Sequence, residues 1–283
     1  MADTILVVVE QRAGKLNRVS WETLVAGQAI AADAGWSLEA AVVGSRVSSV
    51  ANEIASKKLA KVYAIEAEAL EAYTPDAFSS ALKQFISSAQ PRLVLMPHTY
   101  QVRDFIPKLA TSMGRTVISD CIGFRKDGGK PFFTRQMFQG KFAADVSFSC
   151  DAPWFVTFQT GAFRGDQVEA GTGAAPVETV TVDISSDAVR TTPQAPFKEA
   201  KQAVDLTQAE IIVSVGRGIK EQKILNWRNN WPRHSGQRSQ PPAPFAIRDG
   251  CRWTARSVPR VRPSRQSCTL RSASVELFST SLG

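Results

Sequence analysis

The stretch Ala209-Glu210-Ile211-Ile212-Val213-Ser214-Val215-Gly216-Arg217-Gly218-Ile219-Lys220 decides how this chain is interpreted, because it joins an apolar run to a Gly-Arg-Gly turn. A short apolar run of this kind is typical of a buried strand. In α/β proteins, a strand followed by glycines and a helix start forms a loop that faces a phosphate. Gly216, Arg217 and Gly218 are therefore candidate nucleotide-binding residues. Taken alone, the same three residues also fit a plain turn that needs glycine for its tight geometry.

Upstream of this stretch, short apolar runs alternate with segments of helical periodicity. Strands are predicted at residues 5–9, 38–43, 62–65 and 93–96, whose continuous apolar character is typical of a parallel sheet buried on both faces. Helices are predicted after Ser20, over residues 47–59, from Thr74-Pro75 and from Asp104, where Ser20, Thr74 and Asp104 would be the N-caps. This alternation predicts an α/β fold with a parallel sheet.

The end of the strand at residues 93–96 is a second place to look for a ligand site, since open α/β sheets bind ligands at the carboxyl ends of their strands. Pro97-His98-Thr99-Tyr100 and Arg103 follow this strand. A histidine with no neighbouring cysteine or carboxylate pair indicates neither a metal site nor a catalytic triad. We therefore expect His98 to be a loop histidine whose hydrogen bonds are satisfied within the fold.

The pattern changes at residue 117. Apolar runs at 117–124, 132–138 and 142–148 are separated by an Asp-Gly-Gly turn and a Gln-Gly-Lys turn, which indicates antiparallel hairpins, and residues 154–158 add one more strand. Residues 165–200 are rich in Gly, Ala, Thr and Pro. The predicted organisation is an N-terminal domain over residues 1–165, a linker over 166–205, the start of a second domain over 206–223, and a tail over 224–283.

The net charge of +8 belongs entirely to the tail. Residues 224–283 contain ten arginines, no lysine and two acidic residues, whereas residues 1–223 contain 24 basic and 24 acidic residues. The four cysteines lie far apart without metal-binding spacing, and no apolar stretch is long enough to span a bilayer. The N-terminus has neither a signal peptide nor an Arg-rich transit peptide. These features predict a reduced, cytoplasmic protein of bacterial type, or a matrix protein if the source is mitochondrial, without stable membrane insertion.

Set in order, these pieces resemble the alpha subunit of electron transfer flavoproteins. The resemblance covers residues 1–223 and lies in the strand at 4–10, the Leu-Val-Leu-Met-Pro-His strand end with 104–108 after it, Ile-Ser-Asp at 118–120, Phe-Thr-Arg at 133–135, Gly-Lys at 140–141, and above all Ile-Ile-Val-Ser-Val-Gly-Arg-Gly-Ile-Lys at 211–220. The last stretch is similar to the start of the family's FAD-binding domain.

The resemblance implies an electron carrier and not an enzyme. It implies a heterodimer with a beta subunit, a doubly wound C-terminal domain that holds one FAD, and electron transfer from flavin dehydrogenases acting on acyl-CoA to a membrane quinone oxidoreductase. It also implies that Gly216, Arg217 and Gly218 form part of the FAD site, with Arg217 against the flavin. A fixed cation there would stabilise negative charge on the reduced ring.

After Lys223 the pattern of the family is lost, and the genetic code offers a reason. Residues 258–262 can be written GTT CCT CGG GTC AGA, and reading one base earlier gives TCC TCG GGT CAG, which encodes the flavin-loop motif SSGQ. The same shift allows NIELAEQLAEAL from residues 224–234, PICDSGWVPMD from 243–254, TVAPKLY from 263–268, and LGISGA with QHLVG from 271–283. We expect that one base was lost after the Lys223 codon, that residues 224–283 are disordered or poorly packed, and that the FAD-binding domain is disrupted.

The sequence also allows three other hypotheses. Residues 1–165 could act as a flavin-free scaffold that binds a beta-type subunit. The Arg-rich tail could bind nucleic acid, but it lacks interleaved aromatic or lysine residues, so we expect no nucleic-acid partner. An NAD-type dehydrogenase is disfavoured, because the residues after the first strand, Glu10-Gln11-Arg12-Ala13-Gly14, contain a single glycine instead of GxGxxG.

Overall fold

A computed structural model describes residues 3–127, 130–185 and 189–194 of this chain. These residues belong to one compact unit, Met1–Gln194. Gly216, Arg217, Gly218 and the whole of the predicted second domain and tail lie outside the described residues, so the expectations about them stay predictions.

The strands and helices of the described part follow one another with short connections. The strands are β1 (Thr4–Val9), β2 (Gln11–Arg12), β3 (Lys15–Leu16), β4 (Ser37–Gly44), β5 (Lys61–Glu66), β6 (Leu93–Pro97), β7 (Val117–Asp127), β8 (Lys130–Met137), β9 (Phe142–Val146), β10 (Trp154–Phe158) and β11 (Val177–Thr181). The helices are α1 (Arg18–Ala34), α2 (Ser48–Ala55), α3 (Pro75–Ala89) and α4 (Tyr100–Ser112).

Nine of these strands form one sheet in the order β11-β5-β4-β1-β6-β10-β7-β8-β9. The strands from β11 to β7 run parallel to their neighbours, whereas β8 pairs antiparallel with β7 and with β9. The predicted α/β class, with a parallel sheet and added antiparallel strands, is confirmed. The sequence did not indicate that β10 would enter the middle of the sheet, between β6 and β7.

The sheet is buried on both faces, as the continuous apolar strands predicted. In β1, Ile5 and Val7 belong to one hydrophobic core and Leu6 and Val8 to the other, because successive side chains point to opposite faces. The first core is covered by α1 and α2 and the second by α3 and α4. The result is a three-layer sandwich of helices, sheet and helices.

Gly27 lets α1 approach the sheet closely. A Cβ atom at this position would lie 2.8 Å from Val7 Cγ2 and 2.9 Å from Leu38 Cδ1, both closer than ordinary contact. The absence of a side chain at Gly27 therefore fixes the position of α1 over β1 and β4.

Two helix starts differ from the prediction. Helix α1 begins at Arg18, and its N-cap is Asn17, whose side chain accepts a hydrogen bond from the Val19 N–H; Ser20 is buried inside the first turn. Helix α4 begins at Tyr100 with Thr99 as its N-cap, so Asp104 lies inside the helix and accepts a hydrogen bond from the Tyr73 hydroxyl, 2.8 Å away. In both cases the cap that forms lies upstream of the predicted one, by three residues in α1 and by five in α4, so each helix gains about one turn. The cap at Thr74, with Pro75 in the first turn, is confirmed.

The N-terminal unit extends beyond the boundary predicted at residue 165. Within the segment expected to be a linker, β11 pairs with β5 over five residues and becomes an edge of the sheet. Val182, Ile184 and Val189 then pack against the core beneath α3 and α4. Arg190 donates its backbone N–H to the buried Asp76 carboxylate, 2.9 Å away, which fixes the chain where it leaves the unit. The linker prediction was therefore too broad at its N-terminal end.

Candidate functional site

The topological switch point of the sheet lies between β1 and β6, because β4 and β5 are added on one side of β1 and β6 to β10 on the other. In open α/β sheets, the crevice outside the carboxyl ends of such a pair of strands is the usual ligand site. Glu10 follows β1 directly, and His98 and Thr99 follow β6. These three residues are therefore the first place where a ligand would be expected.

The Glu10 side chain is held by groups of the chain itself. Its Oε1 accepts a hydrogen bond from Asn17 Nδ2 at 2.6 Å, and its Oε2 accepts one from the Thr99 hydroxyl. The same Thr99 hydroxyl accepts from the Val102 N–H, 3.2 Å away, and so caps α4. One carboxylate thus connects the end of β1 to the starts of both α1 and α4.

The backbone of Glu10 is fixed in the same way. Its N–H donates to Ser20 Oγ at 2.9 Å, and its carbonyl oxygen accepts from Ser20 Oγ at 3.1 Å and from the Asn17 N–H at 2.9 Å. The short β2–β3 hairpin fills the place where a dinucleotide-binding protein has a glycine-rich turn. A carboxylate at the switch point also repels a phosphate. This crevice therefore does not fit a dinucleotide. The sequence led to the same expectation for a nicotinamide dinucleotide, because the first strand is not followed by GxGxxG.

His98 belongs to a second polar cluster, at the ends of β6, β10 and β7. Its Nδ1 lies 2.8 Å from the hydroxyl oxygen of Thr157, which also accepts a hydrogen bond from the Asp120 N–H at 3.0 Å. The backbone N–H of His98 donates to the Phe158 carbonyl oxygen at 2.8 Å, and Nε2 lies 3.9 Å from Asp120 Oδ1. The expectation that His98 is a loop histidine satisfied within the fold is confirmed.

The surroundings of His98 and Cys121 favour the neutral forms of both side chains. Burial lowers the pKa of His98, and the nearby Arg103 and Arg135 lower it further, against the opposing effect of Asp120. Burial raises the pKa of the adjacent Cys121 thiol to about 12. The thiolate is the nucleophilic form of cysteine, and Cys121 is protonated and 0% exposed. The cluster therefore holds three strand ends together and offers no activated nucleophile.

The described residues contain no group of three or more His, Cys, Asp or Glu side chains arranged to hold a metal ion. Within the same ranges, Cys121 and Cys150 are both free, and none of the helices combines the length and apolarity needed to cross a bilayer. Cys251 and Cys268 lie outside the described residues.

Comparison with known proteins assigns the family. The model of the electron transfer flavoprotein domain matches residues 5–185, which is more than half of the chain. The chain belongs to the electron transfer flavoprotein family. The matched residues include nearly the whole nine-stranded sheet, so the internally satisfied switch point belongs to the family domain itself.

Curated relatives of the electron transfer flavoprotein family agree. Electron transfer flavoprotein subunit alpha of Bacillus subtilis is 31% identical over 223 residues, covering 79% of this chain and 67% of the relative. Protein FixB of Clostridium saccharobutylicum is 29% identical over 217 residues, covering 76% and 64%. Acryloyl-CoA reductase electron transfer subunit beta of Anaerotignum propionicum is 28% identical over 242 residues, covering 77% and 66%. The chain spans about two thirds of the length of these relatives.

The match to the Bacillus subtilis electron transfer flavoprotein subunit reaches beyond the family domain. A continuous stretch of 79% of a 283-residue chain contains residues 216–218 wherever it begins. The Gly-Arg-Gly turn therefore falls within the region of similarity, although it lies outside the described structure. The sequence singled out this turn and placed Thr99 in a candidate strand-end loop, but it did not predict the contacts of Glu10 with Asn17 and Thr99, which join residues up to 89 positions apart.

Proposed function

We propose that this chain is the alpha-type subunit of a two-subunit electron transfer flavoprotein, whose flavin domain is interrupted by a shift of the reading frame after Lys223. The observation that supports this most directly is the extent of the match to Bacillus subtilis subunit alpha. It includes Gly216, Arg217 and Gly218 and leaves about a fifth of this chain unmatched. Residues 224–283, for which codons exist that would encode family motifs when read one base earlier, make up the same share of the chain.

In this proposal the two parts of the chain have separate roles. The N-terminal unit is a scaffold, since its switch point is filled by Glu10 and its hydrogen-bond partners. FAD, when bound, supplies the one-electron chemistry that the side chains themselves lack. Gly216 and Gly218 would let the backbone approach the cofactor, and the Arg217 guanidinium would stabilise negative charge on it. Because the partner loops are out of frame, the polypeptide as written binds little or no FAD.

The electron route proposed for the intact protein leads from flavin dehydrogenases acting on acyl-CoA to a membrane quinone oxidoreductase, in the cytoplasm of a bacterium. The name of the Anaerotignum relative, an electron transfer subunit of acryloyl-CoA reductase, supports a link to CoA thioesters. The chain acts as an electron carrier in this route.

A second candidate function is that of a flavin-free scaffold for a beta-type subunit. The described part of the N-terminal unit favours it, because residues up to 194 already form a nine-stranded sheet with helices packed on both faces. The two candidates agree on the partner and differ in whether the intact gene encodes a flavin site.

Co-expression with a beta-type subunit tests the shared part of the proposal. When the 283-residue chain is co-expressed with the beta-type electron transfer flavoprotein subunit of the same organism, we expect the two to elute together from size-exclusion chromatography. Light scattering should give the mass of one copy of each, because the folded scaffold is intact. Separate elution of the two proteins at micromolar concentration would contradict the assignment as an alpha-type subunit.

A further inference from the structure

The hairpin formed by β8 and β9 carries a cluster of exposed apolar side chains at its end. We call Met137, Phe138 and Phe142 the hairpin tip. Phe138 and Phe142 are 69% and 66% exposed, and their rings meet edge to face with 5.9 Å between centroids. Large apolar side chains exposed together mark interaction sites more often than isolated ones do. The tip is thus a candidate contact surface.

The backbone at the tip is strained for the residues that it holds. Phe138, Gln139 and Gly140 are three consecutive residues with positive φ, at +50°, +59° and +85°. This left-handed region suits glycine and asparagine but is unfavourable for a bulky side chain such as that of Phe138. Phe138 therefore lowers the stability of the fold in two ways: its backbone is strained, and its apolar ring is exposed to water. A residue that occurs despite both unfavourable effects indicates a function other than stabilising the fold, such as contact with another molecule.

The surroundings of the tip are basic. Residues 135–144, at the end of the hairpin that carries the tip, contain two basic side chains, Arg135 and Lys141, and no acidic one. Asp145, the next acidic residue along β9, is paired with Arg125 at 2.7 Å. Lys141 adjoins the tip directly, and β9 is the last strand on its side of the described sheet. Two copies of this basic hairpin would repel each other, so its charge favours an acidic partner over self-association.

We propose that the hairpin tip docks into an apolar pocket rimmed by carboxylates on the beta-type subunit. This inference rests on the proposed function, which supplies that partner. Phe138 and Phe142 are the apolar anchors, because aromatic residues dominate the centres of protein interfaces. Lys141 supplies charge at the rim, where it affects the rate of association more than the affinity.

The test compares Phe138→Asn with Gln139→Asn in the full chain, using the purified beta-type subunit of the same organism as the probe. Both substitutions place asparagine at a positive φ, so both should raise the Tm by about 2–4 °C for a unit of this size. Only Phe138→Asn removes the aromatic anchor. It should weaken binding on the order of 30-fold, the change typical of an interface hot spot, whereas Gln139→Asn should leave the Kd unchanged.

Each other outcome overturns the inference in a distinguishable way. Unchanged affinity of Phe138→Asn would place the interface elsewhere while leaving the proposed function intact. A lower Tm for Phe138→Asn would make Phe138 a structural residue. Self-association of the unaltered chain that Phe138→Asn abolishes, with no effect on the beta-type subunit, would assign the tip to a second copy. Failure of the unaltered chain to bind the beta-type subunit would remove the proposed function together with this inference.

Discussion

Restoring the reading frame after Lys223 is expected to raise the flavin content of the purified alpha–beta pair by about one FAD per pair. The chain as written should add little or no flavin. The change is all or none because it concerns an entire domain and not a single contact.

The physical reason lies in what the two readings encode after the Gly-Arg-Gly turn. As written, residues 224–283 have ten arginines, two acidic residues and no apolar periodicity. One strand without neighbouring strands or covering helices buries too little apolar surface to offset chain entropy, which costs roughly 1–2 kcal/mol per residue for the backbone. The shifted reading supplies an amphipathic helix and glycine-containing loops in family order. With them Gly216, Arg217 and Gly218 would have the rest of a binding site around them.

The measurement is the ratio of flavin absorbance to protein absorbance after co-purification with the beta-type subunit and gel filtration. A chain ending at Lys223 is the matched control, and it should contain as little flavin as the 283-residue chain because the out-of-frame tail contributes nothing. A full complement of flavin in the chain ending at Lys223 would show that the lost loops are not needed and would refute this account of the site.

Replacing Phe155 by alanine is expected to destabilise the N-terminal unit by about 3–5 kcal/mol, the usual cost of deleting a fully buried phenylalanine. Phe155 is 0% exposed on β10, which hydrogen-bonds to β6 on one side and β7 on the other. The substitution leaves a cavity at the centre of the sheet beneath α3 and α4. For a unit of about 190 residues, the Tm should fall by roughly 6–20 °C.

Phe142→Ala is the matched control for this prediction, because it deletes the same side chain from the exposed hairpin tip. Its free energy of unfolding should change by less than about 0.5 kcal/mol. Urea unfolding followed by circular dichroism gives both values, with equal slopes against urea concentration if the transition stays two-state. Similar losses in the two variants would mean that β10 does not lie at the centre of the sheet.

The sequence predicted the strands of the parallel sheet closely. Residues 5–9, 38–43, 62–65 and 93–96 fall within β1, β4, β5 and β6, and β10 matches the predicted 154–158 in both bounds. These strands are buried on both faces, so their continuous apolar runs carry a strong local signal. The class of the fold follows from that signal.

Features that depend on distant contacts or on competing local choices could not be predicted in the same way. Asn17 and Thr99 were passed over as helix caps because Ser20 and Asp104 are equally good capping residues a few positions later. Strand β11 reads Val-Glu-Thr-Val-Thr, which is mostly exposed at the edge of the sheet and therefore lacks an apolar run. The position of β10 between β6 and β7 depends on which strands pair in the folded sheet, and the local sequence of a strand does not specify its partners.

The switch point shows the same limit for the site. The sequence after β1 indicated only that a dinucleotide fingerprint is missing. What fills its place, the Glu10 carboxylate bound by Asn17 and Thr99, depends on bringing the ends of β1 and β6 together. The local sequence can exclude a phosphate-binding loop, but it cannot predict a hydrogen-bond network that joins residues 89 positions apart.

The nucleotide sequence of the gene across codon 223 tests the central claim most directly. We predict that the bases after the Lys223 codon, read one base earlier, encode NIELAEQLAEAL, PICDSGWVPMD, SSGQ, TVAPKLY and LGISGA in that order and that this frame stays open past the codon for Gly283. Codons for residues 224–283 that cannot encode these motifs in the shifted frame would contradict it, and the Arg-rich segment would then be a genuine part of the protein.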